Sequence, residues 1–390
     1  MKSWAIVFCA ALLAGCASAP VAPPTADTRL FHDQLFQPPS APVSAADIFK
    51  LTPEMKDYAQ QQIVRRQREK SPQQALFDAL YAKGQLKLEY DSTMTRNAAQ
   101  AFQARAGNCL SLVIMTAALA REANMQVSFQ SVAVDDSWSR SGNLYFSSGH
   151  VNLMLGKPKL DNHNGYDTAE FMTIDFVPPE VLRRQATQSL EEHTIIAMYM
   201  NNRAAETMVA GQIDDAYWWA RKAIEYDPGF IPAYNTLGVI YQHHGDAVAA
   251  EQVLRYAYQQ TPSNTVVMFN LAQSLRDLNR PAEAQVLADQ LARLEPQPPF
   301  YFFNLGREAM RQGDYARARG LFARELVRDP YYHEFHFWMA AASYMTGDLA
   351  DADKHMKLAL ENSTARSDHD LYAAKLDRLK AYEAQPRAHQ

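Results

Sequence analysis

Four prolines, Pro228, Pro262, Pro296 and Pro330, fall at intervals of 34 residues in a chain of 390. A fixed period of about that length leaves few architectures open. It marks a solenoid of helical hairpins, in which each unit buries its apolar face only against its neighbours. Proline suits the end of the second helix of such a hairpin, because it has no N–H to continue the ladder. The second half of the chain is therefore expected to be an all-α superhelix.

The residues between the prolines sharpen this. "YNTLGVIYQHHGDAVAAEQVLRYAYQQTP" carries Leu237, Gly238, Tyr241, Gly245, Ala250, Ala257 and Pro262. The set resembles the tetratricopeptide repeat, whose small residues let two helices approach. In the same register stand Ala204, Gly211, Ala216 and Ala223, then Leu271, Ala272 and Ala284. Leu305, Gly306, Gly313, Ala318 and Phe322 follow, then Ala340, Gly347, Ala352 and Ala359. Five repeats are expected over 196–366, with a polar capping helix and tail over 367–390.

The resemblance implies binding, not chemistry: the first helices line a concave groove that takes a peptide or a partner helix. By register the inner face is expected to carry Asn201, Asn235, Phe269, Arg276, Phe303, Arg307, Arg311 and Tyr344. Amides, guanidiniums and aromatic rings together suit an extended peptide or an acidic tail. A solvated inner face packed against the rest of the chain is the competing reading. His243–His244 and the His333/His336 pair match no metal-ligand spacing, so no metal is expected there.

The chain begins MKSWAIVFCAALLAGC. Lys2 followed by an apolar stretch over 4–14, too short to span a bilayer, reads as an export signal. Leu13-Ala14-Gly15-Cys16 resembles the lipobox of bacterial lipoproteins, which implies removal of 1–15 and lipidation of Cys16. An ordinary cleavage near Ala17-Ser18-Ala19 is the alternative. Ala17 after the cysteine implies sorting to the outer membrane of a Gram-negative cell, facing the periplasm. Residues 16–45, rich in proline, alanine and serine, are expected to be a tether. The net charge of −5 gives no basic footprint, so nucleic acid is not an expected partner. No second stretch is long and apolar enough to cross a membrane.

Of three cysteines, Cys9 leaves with the signal and Cys16 takes lipid, so Cys109 is left unpaired in a compartment where disulfides form. Its setting is "RAGNCLSLVIMTAALARE". Asn108 is a good N-cap, and the run from Leu110 to Ala123 is apolar on nearly every face, as in a central buried helix. A cysteine in the first turn meets unpaired N–H groups and partial positive charge. Both favour a thiolate, and the same N–H groups can hold an oxyanion.

Downstream the apolar period becomes two, and strands are expected over 125–134, 150–156 and 171–176. His150 and Asn152 share a face opposite Val151, Leu153 and Leu155, and Asp175 lies opposite Ile174 and Phe176. Neighbouring strands can thus present His150 and Asp175 to Cys109. Asp161, Asp167 and Glu170, in a polar loop, are competing acids. The segment "DDSWSRSGNLYFSSG" is expected to be a lid or a hairpin loop.

"RAGNCLSLVIMTAALAREANMQV", "GHVNLML" and "TIDFVPP" together resemble the transglutaminase-like superfamily, over about 75–180. The resemblance implies an α+β papain/transglutaminase-like domain over 46–195, with Cys109 as nucleophile, His150 as base and Asp175 as orienting acid. It also suggests Gln103, six residues before the cysteine, as an oxyanion-hole amide. The function implied is a lipid-anchored cysteine enzyme that cleaves or transfers an amide or acyl bond without a cofactor, its repeats holding a protein substrate or partner. The alternative is a tetratricopeptide scaffold whose transglutaminase-like domain does not turn over.

Overall fold

The structure is a computed structural model of the chain and describes residues 25–82, 85–141, 144–156, 172–176, 186–363 and 365–383. Cys16 with the signal and lipobox, and the competing acids Asp161, Asp167 and Glu170, lie outside the described residues.

The first unit is built on helices whose starts are written in the sequence. Thr52 and Ser71 accept hydrogen bonds from the N–H groups of Met55 and Gln74, with proline next in line, and so open α1 (Pro53–Tyr58) and α2 (Pro72–Tyr81). α1 runs on as a π turn over Ala59–Val64 and a 3-10 turn over Arg65–Arg68. β1 (Glu89–Tyr90) pairs in parallel with β2 (Ala106–Gly107). Asn97 opens the short α3 (Ala98–Ala104) with a capping box closed by Gln100.

α4 (Cys109–Glu122) is the centre of this unit. Every residue from Leu110 to Ala120 is buried, as an all-round apolar helix requires. It packs on an antiparallel sheet of order β5-β4-β3-β6. The strands are β3 (Gln126–Ser141), β4 (Leu144–Gly156), β5 (Met172–Ile174) and β6 (Thr187–Leu190). β3 and β4 run well past the expected strand ends, with a register shift between Val132 and Ser137. The segment expected to be a lid or loop is thus an extended two-stranded ribbon over its described residues. Its Trp, Tyr and Phe content suits strand, but serines and a glycine between them hide the alternation.

The tether expectation also needs correction. From Asp27 to Ser40 the chain lies against three helices of the superhelix: α6 (Ile213–Tyr226), α7 (Ile231–His244) and α8 (Ala247–Gln260). Phe36 is buried and stacks on Tyr217 at 4.0 Å and 7°. Asp33 accepts from the Tyr217 hydroxyl and from Arg221 Nε at 2.9 Å. Tyr241 donates its hydroxyl to Leu30 O at 2.9 Å, and Ser40 donates to Asp215 through both N–H and Oγ–H. The overall Pro/Ala/Ser composition concealed "RLFHDQLF", whose leucines and phenylalanines have a surface to bury against.

The second half is a run of helical hairpins: α5 (Glu192–Val209) with α6, α7 with α8, and α9 (Thr265–Asp277) with α10 (Pro281–Leu294). α11 (Tyr301–Arg311) with α12 (Tyr315–Arg328) and α13 (His333–Met345) with α14 (Leu349–Glu361) follow. α15 (Arg366–Glu383) closes the end, burying Tyr372, Leu376 and Leu379. Consecutive helices pack throughout with one exception: α10 and α11 scarcely touch. The apolar core divides at the same place, one cluster ending at Leu287 and the next starting at Phe300.

The cause is local. Other hairpins are joined by 227–230, 261–264 and 329–332, whereas this link spans 295–300. It reads "EPQPPF", and its three prolines delay the start of α11. Phe300 takes left-handed backbone (φ 63°) and buries its ring in the following block. The buried Glu325 carboxylate then accepts from the N–H groups of Phe302 and Phe303, capping α11 from within its own hairpin.

Candidate functional site

Cys109 is the first residue of α4, half-buried. Asn108 caps the helix: its Oδ1 accepts from Ser111 N–H at 2.9 Å and from Ser111 Oγ at 2.7 Å. Gly107 precedes it because a Cβ there would come within 2.7 Å of Ser111 Cβ. The cap is held in turn by the second half of the chain. Asn108 Nδ2 donates to Thr95 Oγ1 at 2.9 Å, and Asn202 Nδ2, on α5, donates to the same oxygen at 3.2 Å. The buried Thr95 gives its N–H to Glu206 at 2.6 Å.

β4 and β5 supply the partners. Leu153 pairs with Ile174, so Asp175, one step past the ladder, falls beside Asn152. His150 Nε2 lies 2.7 Å from Asp175 Oδ1, and Asn152 Nδ2 donates to Asp175 Oδ2 at 3.0 Å. All three are largely withdrawn from water, His150 and Asn152 to 6% and 5% exposure. With Nε2 taken by the carboxylate, Nδ1 is the nitrogen left to the Cys109 thiol. Burial is the largest influence on the imidazole and disfavours its charge. Hydrogen bonds and charge from Asp175 and Cys109 outweigh it and raise His150 to about 9. Asn152 was visible in the sequence only as a face-mate of His150; its bond to Asp175 gives it a part in the site.

A cavity of about 380 Å³ opens on the Asp175 side, walled by Phe77 and Tyr81 of α2, Tyr90 of β1, Leu112 of α4 and Phe176. Tyr90 stands opposite Gly107 across the β1–β2 pair. The residue keeps 40% of its surface in water; burial of the phenol and then the charge of Cys109 push it up, opposed by the Cys109 backbone N–H. Gln103 is elsewhere. It is exposed on α3 and lines a separate cavity of about 500 Å³ with Tyr58, Gln85 and Arg105. The oxyanion role expected of it is not carried by this arrangement.

The eight groove residues do not behave alike. Phe269 and Tyr344 are 54% and 42% exposed, and Arg276 and Arg311 are exposed as well. Asn235 accepts from Asn270 at 2.8 Å, and the buried Asn201 Oδ1 has no hydrogen-bond partner among the described residues. Phe303 is a correction: it is fully buried among Phe300, Phe322 and Phe335, and Arg307 lies over its ring at 5.8 Å. The surrounding rings of Phe300, Phe322 and Phe335 close that position off from water. His336 hydrogen-bonds His355, ring nitrogen to ring nitrogen at 2.9 Å, and His244 bonds Asp246. Among the described residues no three His, Cys, Asp or Glu side chains are grouped to hold a metal ion.

Among the described residues no helix is long and apolar enough to cross a membrane. Models of the tetratricopeptide-repeat family match residues 219–252, 241–301 and 303–366. Solved structures with similarity include YrrB, described as a tetratricopeptide protein with an unusual peptide-binding site, at 19% identity. That match covers 46% of this chain and 92% of the other, with a TM-score of 0.25. PilW, a type IV pilus biogenesis factor, matches at 24% identity over 48% and 86%, with a TM-score of 0.28. The pilF protein of Pseudomonas aeruginosa matches at 20% over 50% and 96%, also with a TM-score of 0.28. The C-terminal half of the chain is a tetratricopeptide-repeat superhelix.

Proposed function

We propose that the chain is a protein-binding tetratricopeptide scaffold whose first unit is a cysteine acyl-transfer centre of transglutaminase-like type. The family matches fall on the repeats, which favours binding of a protein or peptide as the chain's broad role. Catalysis rests on a separate observation, the hydrogen-bonded His150–Asp175 pair beside Cys109 at a helix start.

In this reading the Cys109 thiolate adds to an amide or ester carbonyl, forming a C–S bond. The Cys109 N–H, beside the Tyr90 hydroxyl at the start of α4, holds the developing oxyanion. The His150 imidazolium gives its proton to the leaving amine or alcohol as that bond breaks, while Asp175 keeps the ring oriented. Water or a second amine then takes the acyl group from sulfur. Lipidation at Cys16 would hold this chemistry at the periplasmic face of an outer membrane.

The test is acylation by p-nitrophenyl acetate. The full chain is expected to gain one acetyl group, mapped to Cys109, with a stoichiometric burst of nitrophenolate. Cys109→Ala is expected to abolish the burst and His150→Ala to slow it by about a hundredfold or more. A chain that binds peptides through its repeats but shows no acetyl on Cys109 is a scaffold alone.

A further inference from the structure

The proposed chemistry uses the thiol, the imidazole and the carboxylate, and leaves the cavity beside them unexplained. Leu112 lies three residues along α4 from Cys109, so helix geometry sets both on one face. Phe77 and Tyr81 are four apart on α2 and their rings meet at 4.9 Å. Tyr81 in turn neighbours Phe176 at 6.2 Å and donates its hydroxyl to Asp175 O at 3.5 Å. Among the described residues of the wall the one carboxylate, Asp175, has its oxygens engaged by His150 and Asn152.

The cavity is therefore an apolar, aromatic recess that shares a wall with the catalytic acid. Phe77 and Tyr90 stand at 42% and 40% exposure, two large rings left in water at its edge. Its volume of about 380 Å³ is at the small end of ligand pockets, enough for one side chain and not for a length of peptide.

Resting on the acyl-transfer reading above, we infer that this recess is the specificity pocket, and that it takes the aromatic or bulky aliphatic side chain of the residue bearing the attacked carbonyl. Covering Phe77 and Tyr90 with such a side chain removes apolar surface from water on both partners. A carboxylate there would lose its hydration and meet the charge of Asp175, with no lysine or arginine among the described residues of the wall. The substrate class is thus acyl groups derived from large apolar residues.

Three affinity probes separate this claim from the one beneath it: N-acetyl-phenylalanyl, N-acetyl-glycyl and N-acetyl-glutamyl chloromethyl ketones. In each the thiolate displaces chloride and forms a C–S bond. Alkylation of Cys109 in the full chain is followed by intact mass, with rates normalised to those with glutathione. The phenylalanyl probe is expected to react at least about tenfold faster than the glycyl probe, and the glutamyl probe more slowly than either. Phe77→Ser should reduce the phenylalanyl-to-glycyl ratio severalfold, and Phe77→Leu should keep it. Equal normalised rates for the phenylalanyl and glycyl probes, with Cys109 reacting readily, overturn the pocket and leave the acyl-transfer reading standing. A folded Cys109 that none of the probes alkylates overturns both.

Discussion

His150 Nε2 and Asp175 Oδ1 are 2.7 Å apart, joined from two strands at a point that the sheet shields from water. Burial alone would lower the imidazole pKa; Asp175 and Cys109 together raise it from 6.5 to about 9. The folded value lies above the unfolded one. The stability this contributes is therefore fully present below about pH 6.5 and is lost as pH rises through about 9. Histidine NMR of the folded chain should show His150 titrating near 9. Asp175→Asn should bring it down by about a unit or more, and Asn152→Ala should do so by less, because it loosens the carboxylate without removing it. A His150 titration unmoved by Asp175→Asn contradicts the pairing.

Much of this site was legible because it is written in short-range patterns. Asn108 before an apolar run marks a helix start, and the alternation around His150 and Asp175 marks the faces of two strands. What was not legible depends on contacts between distant segments. The strap at Leu30–Phe36 is apolar only in a small island within a polar tether, and the surface it covers lies some two hundred residues on. Phe303 keeps its repeat register in the sequence, yet rings from Phe300, Phe322 and Phe335, the last on the next hairpin, bury it. Gln103 has the right sequence distance from Cys109, but α3 points it into another opening.

Two glycines of one hairpin should respond oppositely to the same change. A Cβ on Gly306 would sit 2.5 Å from the Phe322 ring, which is itself fully buried. Gly320, on α12, has nothing within 4 Å of such a Cβ. Gly306→Ala is expected to cost about 1–2 kcal/mol, overpacking outweighing the gain in helix propensity. Gly320→Ala should stabilise by about 0.5–1 kcal/mol. Urea unfolding followed by hydrogen exchange of α11 and α12 reads both.

The strap should be an integral part of the fold. Phe36→Ala removes a buried ring stacked on Tyr217 and is expected to cost about 3–5 kcal/mol of local stability. Hydrogen exchange of residues 28–40 should accelerate by several hundredfold, and trypsin should cut at Arg29. Unchanged protection there would show that the segment is held by something other than this stack.

The poor contact between α10 and α11 predicts two cooperative units. The core of the first unit continues to Val267 at the start of α9, a second cluster joins α8, α9 and α10 from Leu254 to Leu287, and Phe300–Ala342 form another beyond the α10–α11 link. In rising urea, α11–α15 should lose exchange protection before α5–α9 does. Replacing Pro298 and Pro299 with alanine should draw the two transitions together. A single coincident transition in the wild-type chain would argue that the superhelix is continuous.

The central claim is that His150 and the start of α4 activate Cys109, and alkylation by iodoacetamide tests it most directly. Rates are measured from pH 5 to 9 on the full chain and on His150→Ala, with the modified residue identified by mass spectrometry. The account predicts that folded wild-type Cys109 reacts at pH 6–7, and that His150→Ala slows it by at least about tenfold over that range. A Cys109 that reacts only after unfolding, or at the same rate in His150→Ala, contradicts it.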